Sequence, residues 1–358
     1  MDKTISKLKL CILSDASSYH TKRWVDWFAK RGWETHLISL ERPIQKTEGI
    51  EHILYSIPGP LKYIWASKRV KGVIKEIKPD IVNGHFVPNY GLLGVISGYR
   101  PLIVNCWGSD ILISAKRSIL HKMRAVYILK RADIIIVDAE MLKEEILEWG
   151  IKRERILVIP MGVDTDIFRL KEFPESQDIY RVIHYRPLEP LYNPLPIIRA
   201  VPLVEERLNN RVRFIIQKRG SLYPEIDRLS HKLGIEDFLY LFGRVDHHRL
   251  SRLLRRCDIY ISLSTSDSTS VSLLEAMASG LFPIVSDIKG NREWIRDGEN
   301  GFLVPLYDEK VLSLRIVEAL RDRELRMRAA ELNRRIVEER ADWKRNMEMV
   351  ERVFLRFL

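Results

Sequence analysis

The chain has 358 residues, of which 46% are hydrophobic and 30% charged, and it carries a net charge of +11 at pH 7. This length is enough for two domains with separate cores, and this composition is typical of soluble globular proteins. No apolar run approaches the roughly 18 residues of a membrane span, and the N-terminus has no signal-peptide core. We therefore expect a cytoplasmic protein rather than a membrane-spanning or secreted one.

The excess positive charge lies mainly in the first half of the chain. Residues 1–165 contain 26 Lys and Arg against 18 Asp and Glu. Two helix candidates, 62–78 and 116–131, are especially basic, and we expect them to make a peripheral contact with an anionic membrane at its inner face. The alternative is that both are solvated helix faces. Nucleic acid is not an expected partner, because no nucleic-acid motif interleaves these clusters.

The three cysteines predict buried thiols rather than a metal centre. Cys11, Cys106 and Cys257 lie inside or beside apolar runs and have no metal-ligand spacing. No paired acidic metal motif stands out elsewhere in the sequence. We therefore expect neither a metal nor a cofactor.

The first half of the chain predicts a Rossmann-like domain. Residues 8–14 form an apolar run typical of a central strand, helical spacing follows and closes at Gly32, and 35–39 predicts the next strand. The loop 15–23 between them contains no glycine, so it is not a dinucleotide-binding fingerprint. Further strands are predicted at 79–85, 101–105, 133–137 and 156–159.

One of these strands ends in a candidate site residue. His85 is the last residue of the predicted strand 79–85. Ligands of parallel α/β sheets bind at the carboxyl ends of the strands, so we expect His85 to face a substrate.

The second half predicts a similar domain after a polar linker at 169–180. Its first strand, 181–185, is followed directly by Arg186. An arginine at the carboxyl end of a strand suits a diphosphate, because it stays charged and can bond two oxygens at once. Residues 308–358 are predicted to be helical throughout. Other strands are predicted at 213–217, 239–242, 258–264 and 282–287.

The stretch 264–280 predicts a strand end, a polar loop and then a helix that closes at Gly280. Small hydroxyl residues crowd the first helical turn, where free N–H groups and the helix dipole favour an anion. These residues are Ser268, Thr269 and Ser270.

Two carboxylates bracket that turn, Asp267 in the loop and Glu275 in the helix. Ionised carboxylates only accept hydrogen bonds, so they suit the hydroxyls of a sugar or a ribose. The alternative is an Asp267 that caps the helix and a Glu275 in a structural ion pair.

The same string resembles the Glu-x7-Glu signature of retaining nucleotide-sugar glycosyltransferases with the GT-B fold. In that family Glu-Gly-Phe-Gly-Leu leads into Leu-Glu-Ala-Met-Ala-x-Gly; here Asp267-Ser-Thr-Ser-Val271 leads into Leu274-Glu-Ala-Met-Ala-Ser-Gly280. Asp267 thus replaces a glutamate, and serines replace both glycines. The segments 106–110, 160–168 and 290–303 also resemble family motifs.

The resemblance implies two Rossmann-like domains that face each other across a cleft. It implies an acceptor-binding domain at 1–168, a donor domain at 169–340, and a last helix at 341–358 that returns to the first domain. The implied reaction moves a hexose-type sugar from a nucleoside diphosphate sugar to an acceptor hydroxyl with retention, in glycan, glycolipid or cell-surface polysaccharide synthesis. The acceptor would be a sugar or a lipid-linked molecule, and no metal is implied.

The resemblance also assigns site residues. The implied catalytic residues are Arg186, Asp267, Glu275 and His85. The implied donor-binding residues are Gly108, Arg186, Tyr192, Lys218, Ser268, Thr269, Ser270, Val271, Glu275 and Glu293. Tyr192 stands where the family has a lysine on the diphosphate, and we expect Lys218, after the strand 213–217, to replace that charge.

Two other functions remain open from the sequence. One is a nucleotide-sugar epimerase on the same fold, against which the pattern of Asp267 and Glu275 argues. The other is a non-catalytic relative that only binds a nucleotide sugar, which the departures from the family motifs allow. Release of nucleoside diphosphate in the absence of acceptor would separate an enzyme from a binder.

Overall fold

The computed structural model of the protein describes residues 8–55, 59, 61–175 and 178–358. Its contacts divide the chain into two compact units. One comprises the chain up to Ile159 together with Met347–Leu358, and the other comprises Pro160–Asn346. The sequence analysis placed this boundary after residue 168. The structure places it earlier because Val163 and Phe168 are buried in a core of the second unit.

The first unit is a seven-stranded parallel sheet covered by helices. Its strand order is β3-β2-β1-β4-β5-β6-β7. The elements are β1 (Lys9–Leu13), α1 (Tyr19–Lys30), β2 (Glu34–Ser39), β3 (Ile50–Ile53), α2 (Lys62–Ile77), β4 (Ile81–His85), α3 (Leu92–Ser97), β5 (Leu102–Cys106), α4 (Ile119–Arg131), β6 (Ile134–Val137), α5 (Glu140–Glu148) and β7 (Ile156–Val158).

The second unit is a six-stranded parallel sheet of the order β10-β9-β8-β11-β12-β13. Its elements are β8 (Tyr180–His184), α6 (Leu195–Leu208), β9 (Val212–Gln217), α7 (Tyr223–Leu233), β10 (Leu239–Phe242), α8 (His247–Leu254), β11 (Ile259–Ser262), α9 (Val271–Ala278), β12 (Phe282–Ser286), α10 (Lys289–Arg292), β13 (Phe302–Val304), α11 (Glu309–Arg321) and α12 (Arg323–Arg340). The last helix, α13 (Trp343–Leu355), starts here and continues into the first unit.

The predicted α/β class with two parallel sheets is confirmed. The prediction of one continuous helical region over 308–358 is wrong in detail, because the region is broken twice. Asp322 ends α11 and caps α12 by accepting a hydrogen bond from the backbone N–H of Leu325. The second break lies at Ala341 and Asp342, whose backbone pairs with Val163.

The C-terminal helix completes the core of the first unit. Phe354 is fully buried and stacks on Phe28 of α1 at a ring-centroid distance of 5.2 Å. Glu351 accepts hydrogen bonds from Arg31 (2.6 Å) and from the indole N–H of Trp33 (2.9 Å). The last helix therefore seals the hydrophobic side of α1.

Both sheets reverse their strand order at one point. In the first sheet this point lies between β1 and β4, and in the second between β8 and β11. In open parallel sheets the crevice outside the carboxyl ends of such a strand pair is where ligands bind. The residues that follow β1 and β4, and those that follow β8 and β11, are therefore the places to look for a site.

Candidate active site

Arg186 occupies the reversal point of the second sheet, two residues beyond β8. Its Nη2 lies 2.9 Å from Asp267 Oδ2, and its Nη1 donates to the hydroxyls of Ser270 and Ser272, both at 3.2 Å. The guanidinium carbon sits 4.1 Å from the ring centroid of Tyr192. Loops from three parts of the unit thus hold one arginine in place.

The guanidinium of Arg186 keeps one buried donor open. Its Nε has no hydrogen-bond partner among the described residues. Burial by itself would lower the pKa of Arg186, but the Asp267 carboxylate and the neighbouring tyrosine hydroxyls together more than offset this, so the pKa lies above its ordinary value. The site therefore offers a permanent cation with an unsatisfied N–H, which is a suitable partner for an anionic oxygen.

The hydroxyl-rich turn at the start of α9 is packed closely beside this arginine. Ser270 is the N-cap and accepts a hydrogen bond from the backbone N–H of Leu273 at 3.4 Å. Ser268 and Thr269 are buried, and Val271 begins the helix. The predicted turn is therefore a helix N-terminus with the charge of Arg186 next to it, and its binding of an anion stays a prediction.

Glu275 lies in α9 and is only 5% exposed. Its Oε2 is 3.2 Å from the hydroxyl of Tyr185, which also lies 2.5 Å from the carbonyl oxygen of Ser272. Burial, and then the nearby Glu275, raise the pKa of Tyr185, so this hydroxyl stays protonated and donates. Tyr185 was not predicted from the sequence; its signal was an aromatic residue directly before the strand-end arginine.

Tyr192, Lys218 and Glu293 differ in their placement. Tyr192 stacks on the Arg186 guanidinium. Lys218 is exposed, and its loop is bonded to the Arg186 loop, because the carbonyl of the next residue, Arg219, accepts from the backbone N–H of Leu188 at 2.6 Å. Glu293 follows α10, is half-buried, and uses its backbone carbonyl to accept from Arg340.

His85 lies in the first unit, at the carboxyl end of β4. The sequence predicted that it would face a substrate, but it is only 1% exposed. Its Nδ1 lies 3.0 Å from Ser14 Oγ, and its Nε2 lies 2.7 Å from Asn83 Oδ1. The indoles of Trp24 and Trp107 cover its ring at centroid distances of 4.9 and 4.8 Å.

The hydrogen bonds of His85 fix its tautomer. Asn83 donates from Nδ2 to the carbonyl of Ile103, so its Oδ1 must accept the proton of His85 Nε2. Nδ1 then accepts from the Ser14 hydroxyl. Burial lowers the pKa of His85 to about 3. Both nitrogens therefore bond neighbouring side chains and the ring is neutral, and the expected role of His85 toward a substrate stays a prediction.

Two family models match the chain. "Glycosyl transferases group 1" covers residues 167–336, and "Glycosyl transferase 4-like" covers residues 9–139. The chain belongs to the group 1 glycosyltransferases. The first match contains the whole arginine site and the second contains His85 with its surroundings.

Similar proteins cover this glycosyltransferase almost end to end. EpsD of Bacillus subtilis is 25% identical over 89% of the chain and 88% of its own length. Sucrose-phosphate synthase of Thermosynechococcus elongatus has a TM-score of 0.83 at 16% identity, with 98% of both chains covered. Anabaena Alr3699/HepE, solved with UDP and glucose, has a TM-score of 0.79 at 18% identity over 97% of this chain and 99% of its own. These structures establish the GT-B fold.

In this glycosyltransferase Gly108 forms a tight turn after β5. Its φ is +92°, in the region that favours glycine. Asp110 is fully buried and holds the turn by accepting from the backbone N–H groups of Val87 (3.0 Å) and Trp107 (3.1 Å). Burial raises the pKa of Asp110 to about 6. The Gly108 backbone therefore keeps a defined shape in the first unit.

A polar cluster near the end of β2 was not predicted from the sequence. The Tyr90 hydroxyl bonds the Glu41 carboxylate and accepts from the backbone N–H of Leu40 at 2.9 Å. Lys62 Nζ lies 2.5 Å from Glu41 Oε1. Tyr90 comes from the segment after β4 and Lys62 from the start of α2, so no local sequence pattern connects them.

No helix in the described ranges is long and apolar enough to cross a bilayer. They also contain no group of three or more His, Cys, Asp or Glu side chains placed to hold a metal ion.

Proposed function

We propose that this glycosyltransferase moves a hexose-type sugar from a nucleoside diphosphate sugar, of the UDP class, to an acceptor hydroxyl with retention at the anomeric carbon. The observation that carries the proposal is the Arg186 site. The buried guanidinium of Arg186 has an N–H without a partner in the described residues and lies beside the N-terminus of α9. A diphosphate bound there is stabilised by the positive charge and by the helix N–H groups together. Anabaena Alr3699/HepE, of the same fold, was solved with UDP-glucose.

The proposed chemistry depends on the leaving group. As the bond to the sugar breaks, negative charge grows on the diphosphate, and Arg186 with the N–H groups at Ser270 stabilises it. Glu275, beside Tyr185, accepts from ribose hydroxyls, and Asp267 accepts from hydroxyls of the donor sugar. Because Asp267 is bonded to Arg186, it also fixes the direction of the guanidinium. Donor binding is therefore expected to involve both residues at once.

The donor assignment is tested by Glu275→Gln. A charge-assisted hydrogen bond becomes a neutral one, which costs about 1.5–3 kcal/mol, so the Kd for UDP-glucose rises roughly ten- to hundredfold. Isothermal titration calorimetry measures it. Glu205→Gln is the matched control, because Glu205 is equally buried in the same unit but lies in α6, away from the site. Unchanged affinity in Glu275→Gln would remove the ribose assignment.

Retention is tested separately by following the slow hydrolysis of UDP-glucose by ¹H NMR without acceptor. We expect the α anomer of glucose to appear first, before mutarotation. Initial release of the β anomer would contradict retention. If no UDP is released although UDP-glucose binds, the protein is a binder and not an enzyme.

We further propose that the first unit docks on an anionic membrane that carries a lipid-linked acceptor. The start of α4 is apolar and basic at once: Leu120 is 71% exposed, and Ile119 and Met123 are similarly open. In the described part of the chain no acid lies within ion-pair distance of Arg117 or Arg124. Exposed apolar side chains flanked by unpaired cations are typical of helices that lie in a membrane interface.

The start of α2 adds a second exposed apolar group on the same side of the sheet. Trp65 is 67% exposed, beside Leu61 and Ile64. The inner sides of α2, α3 and α4 share one hydrophobic core, so these helices lie in one layer. α2 and α4 both end shortly before the next strand starts, so their N-termini point toward the carboxyl edge of the sheet. Tryptophan is enriched at the interface between a membrane and water, so an exposed Trp65 fits such a contact.

Vesicle flotation tests the docking. Each Lys or Arg near an anionic surface contributes about 1 kcal/mol, so recovery depends on anionic lipid and falls with salt. Leu120→Ser with Met123→Ser should reduce it further, whereas Leu314→Ser, an exposed leucine of α11, should not. Equal recovery with neutral vesicles, or a dimer that buries α4 in solution, would contradict the proposal.

A further inference from the structure

A second cationic site lies at the opposite edge of the second sheet. An open groove of about 440 Å³ lies there, lined by Arg181, Arg213 and Arg256 and also by Tyr240 and the acid Asp237. Arg181 begins β8, whereas Arg186 follows the end of that strand. Five residues of extended chain separate them, which is about 16 Å at roughly 3.3 Å per residue. The groove is therefore separate from the donor site.

The sheet register brings two of these arginines together. Arg181 and Arg213 are paired directly across β8 and β9, so their side chains leave the same face of the sheet side by side. Like charges in this position destabilise a sheet. Arg256, which follows α8, adds a third positive charge to the lining of the groove.

Three positive charges line the groove against the one negative charge of Asp237. Arg213 donates to the backbone carbonyls of Asn210 (3.1 Å) and Val212 (2.7 Å), and Arg181 donates to that of Ile179 (3.4 Å). These bonds orient the guanidiniums without neutralising them. Throughout the described ranges, no carboxylate lies within ion-pair distance of any of the three arginines. Several charged donors around one groove are therefore left for an external anion.

The floor of the groove is apolar and partly aromatic. Tyr240 is 60% exposed and lies in register with Ile215 on the next strand. The guanidinium of Arg213 lies over the ring of Phe238 at 5.5 Å. A planar ring of a ligand can stack on Tyr240 while its anionic groups meet the arginines.

We propose that this groove binds a nucleoside phosphate at a second site, remote from the donor site. Three arginines match more than one phosphate group, because each guanidinium can bond two oxygens of one group. The volume lies in the ordinary range of small-molecule sites, which is about 300–1,000 Å³. The exposed aromatic ring distinguishes this ligand class from inorganic phosphate alone. The inference does not depend on which sugar or acceptor the enzyme uses.

The test is calorimetric titration with ADP of the full chain and four variants. Arg256→Gln and Arg213→Gln each remove one charged partner, and we expect either to weaken ADP binding about tenfold or more. Arg255→Gln is the matched control, because Arg255 is exposed beside Arg256 but does not line the groove. Arg186→Ala removes the donor site and should leave this binding event in place.

Pyrophosphate in place of ADP tests the aromatic floor. We expect it to bind more weakly than ADP, and Tyr240→Ser should remove that difference. The proposal is overturned if ADP binds equally to Arg255→Gln, Arg256→Gln and Arg213→Gln, if Arg186→Ala abolishes all ADP binding, or if pyrophosphate equals ADP. Each of those results leaves the UDP-glucose measurements on Glu275→Gln untouched.

Discussion

Lys218 is the residue whose role decides how the donor site is charged. The diphosphate of the proposed donor carries two negative charges, whereas Arg186 is one cation and is already paired with Asp267. Tyr192 contributes a ring stacked on Arg186 and no positive charge. Lys218 lies exposed in a loop that is hydrogen-bonded to the Arg186 loop. We therefore expect a long side chain from this loop to reach the diphosphate.

The corresponding prediction is that Lys218→Ala weakens UDP binding about tenfold and uridine binding hardly at all, since only UDP carries the diphosphate. Calorimetric titration of both ligands gives the two ratios. Lys232→Ala, an exposed lysine in the last turn of α7, serves as the control. Equal losses for UDP and uridine, or none, would leave the diphosphate to Arg186 and Tyr192.

Glu205 makes stability depend on pH. It is 6% exposed, and neither of its carboxylate oxygens has a partner in the described residues. Burial raises its pKa to about 7, above the value of an exposed glutamate. The folded state therefore keeps a proton that the unfolded state has lost, so stability falls as pH rises from about 4.5 to about 7.

Glu205→Gln should consequently raise the melting temperature at pH 8 and change it little at pH 4.5. A gain of 1 kcal/mol corresponds to about 2–4 °C for a domain of this size. Glu206→Gln changes the exposed neighbour on the same helix and should be neutral at both pH values. The same shift at both pH values would show that burial of the charge is not the cause.

Single residues were predictable where one loop carries the chemistry. Asp267, Ser270 and Glu275 belong to one strand–loop–helix segment, so their spacing alone places them at one edge. The burial of His85 could not be predicted because its environment is non-local: the strand period places it on the same face as Asn83, but only the fold shows that Trp24 covers it. Tyr185 was missed for the same reason, because its partners are far away in sequence.

At the scale of elements, the short helix α10 packs closely against the loop that contains Asp267 and Ser268. A Cβ built on Gly290 would lie 2.3 Å from the carbonyl oxygen of Asp267 and 2.5 Å from that of Ser268. Both are backbone atoms, so the loop itself must move to make room. The loop geometry that pairs Asp267 with Arg186 thus requires a glycine at position 290, in α10.

Gly290→Ala should therefore weaken UDP-glucose binding by about tenfold or more, because Asp267 is displaced from Arg186. The matched change is Gly72→Ala in α2, where the added Cβ meets nothing within 4 Å. In a helix interior that substitution stabilises by about 0.5–1 kcal/mol, and it should leave the Kd unchanged. Calorimetry and thermal melts distinguish the two, and wild-type affinity in Gly290→Ala would refute the role of the contact.

Elements were predicted well where apolar runs are long. The central strands are continuous hydrophobic runs because both faces of a parallel sheet are covered. The edge strands β3 and β13 were missed because β3 is half-exposed and β13 has only three residues. The break before α12 was missed although Asp322 is a standard N-cap, since the surrounding charged residues all favour helix.

For the whole molecule, alternation of strands and helices was enough to predict two parallel sheets, and family motifs then ordered them. The reversal points between β1 and β4 and between β8 and β11 could not be read directly, because strand order is a long-range property. The position of the charges indicates more about a membrane contact than the net charge does. The cations of the first unit accompany exposed apolar side chains on α4, a combination that net charge alone does not show.

The last helix also means that the core of the first unit is completed late during synthesis on the ribosome. Phe354 and Glu351, which cover Phe28 and bond Arg31, emerge only after the whole second unit. The whole second unit, roughly 190 residues, is translated between Ile159 and these residues. At about 5–20 residues per second this takes about 10 to 40 s. During that interval the apolar side of α1 has no native cover, so a nascent chain stalled before residue 347 is the form most in need of a chaperone.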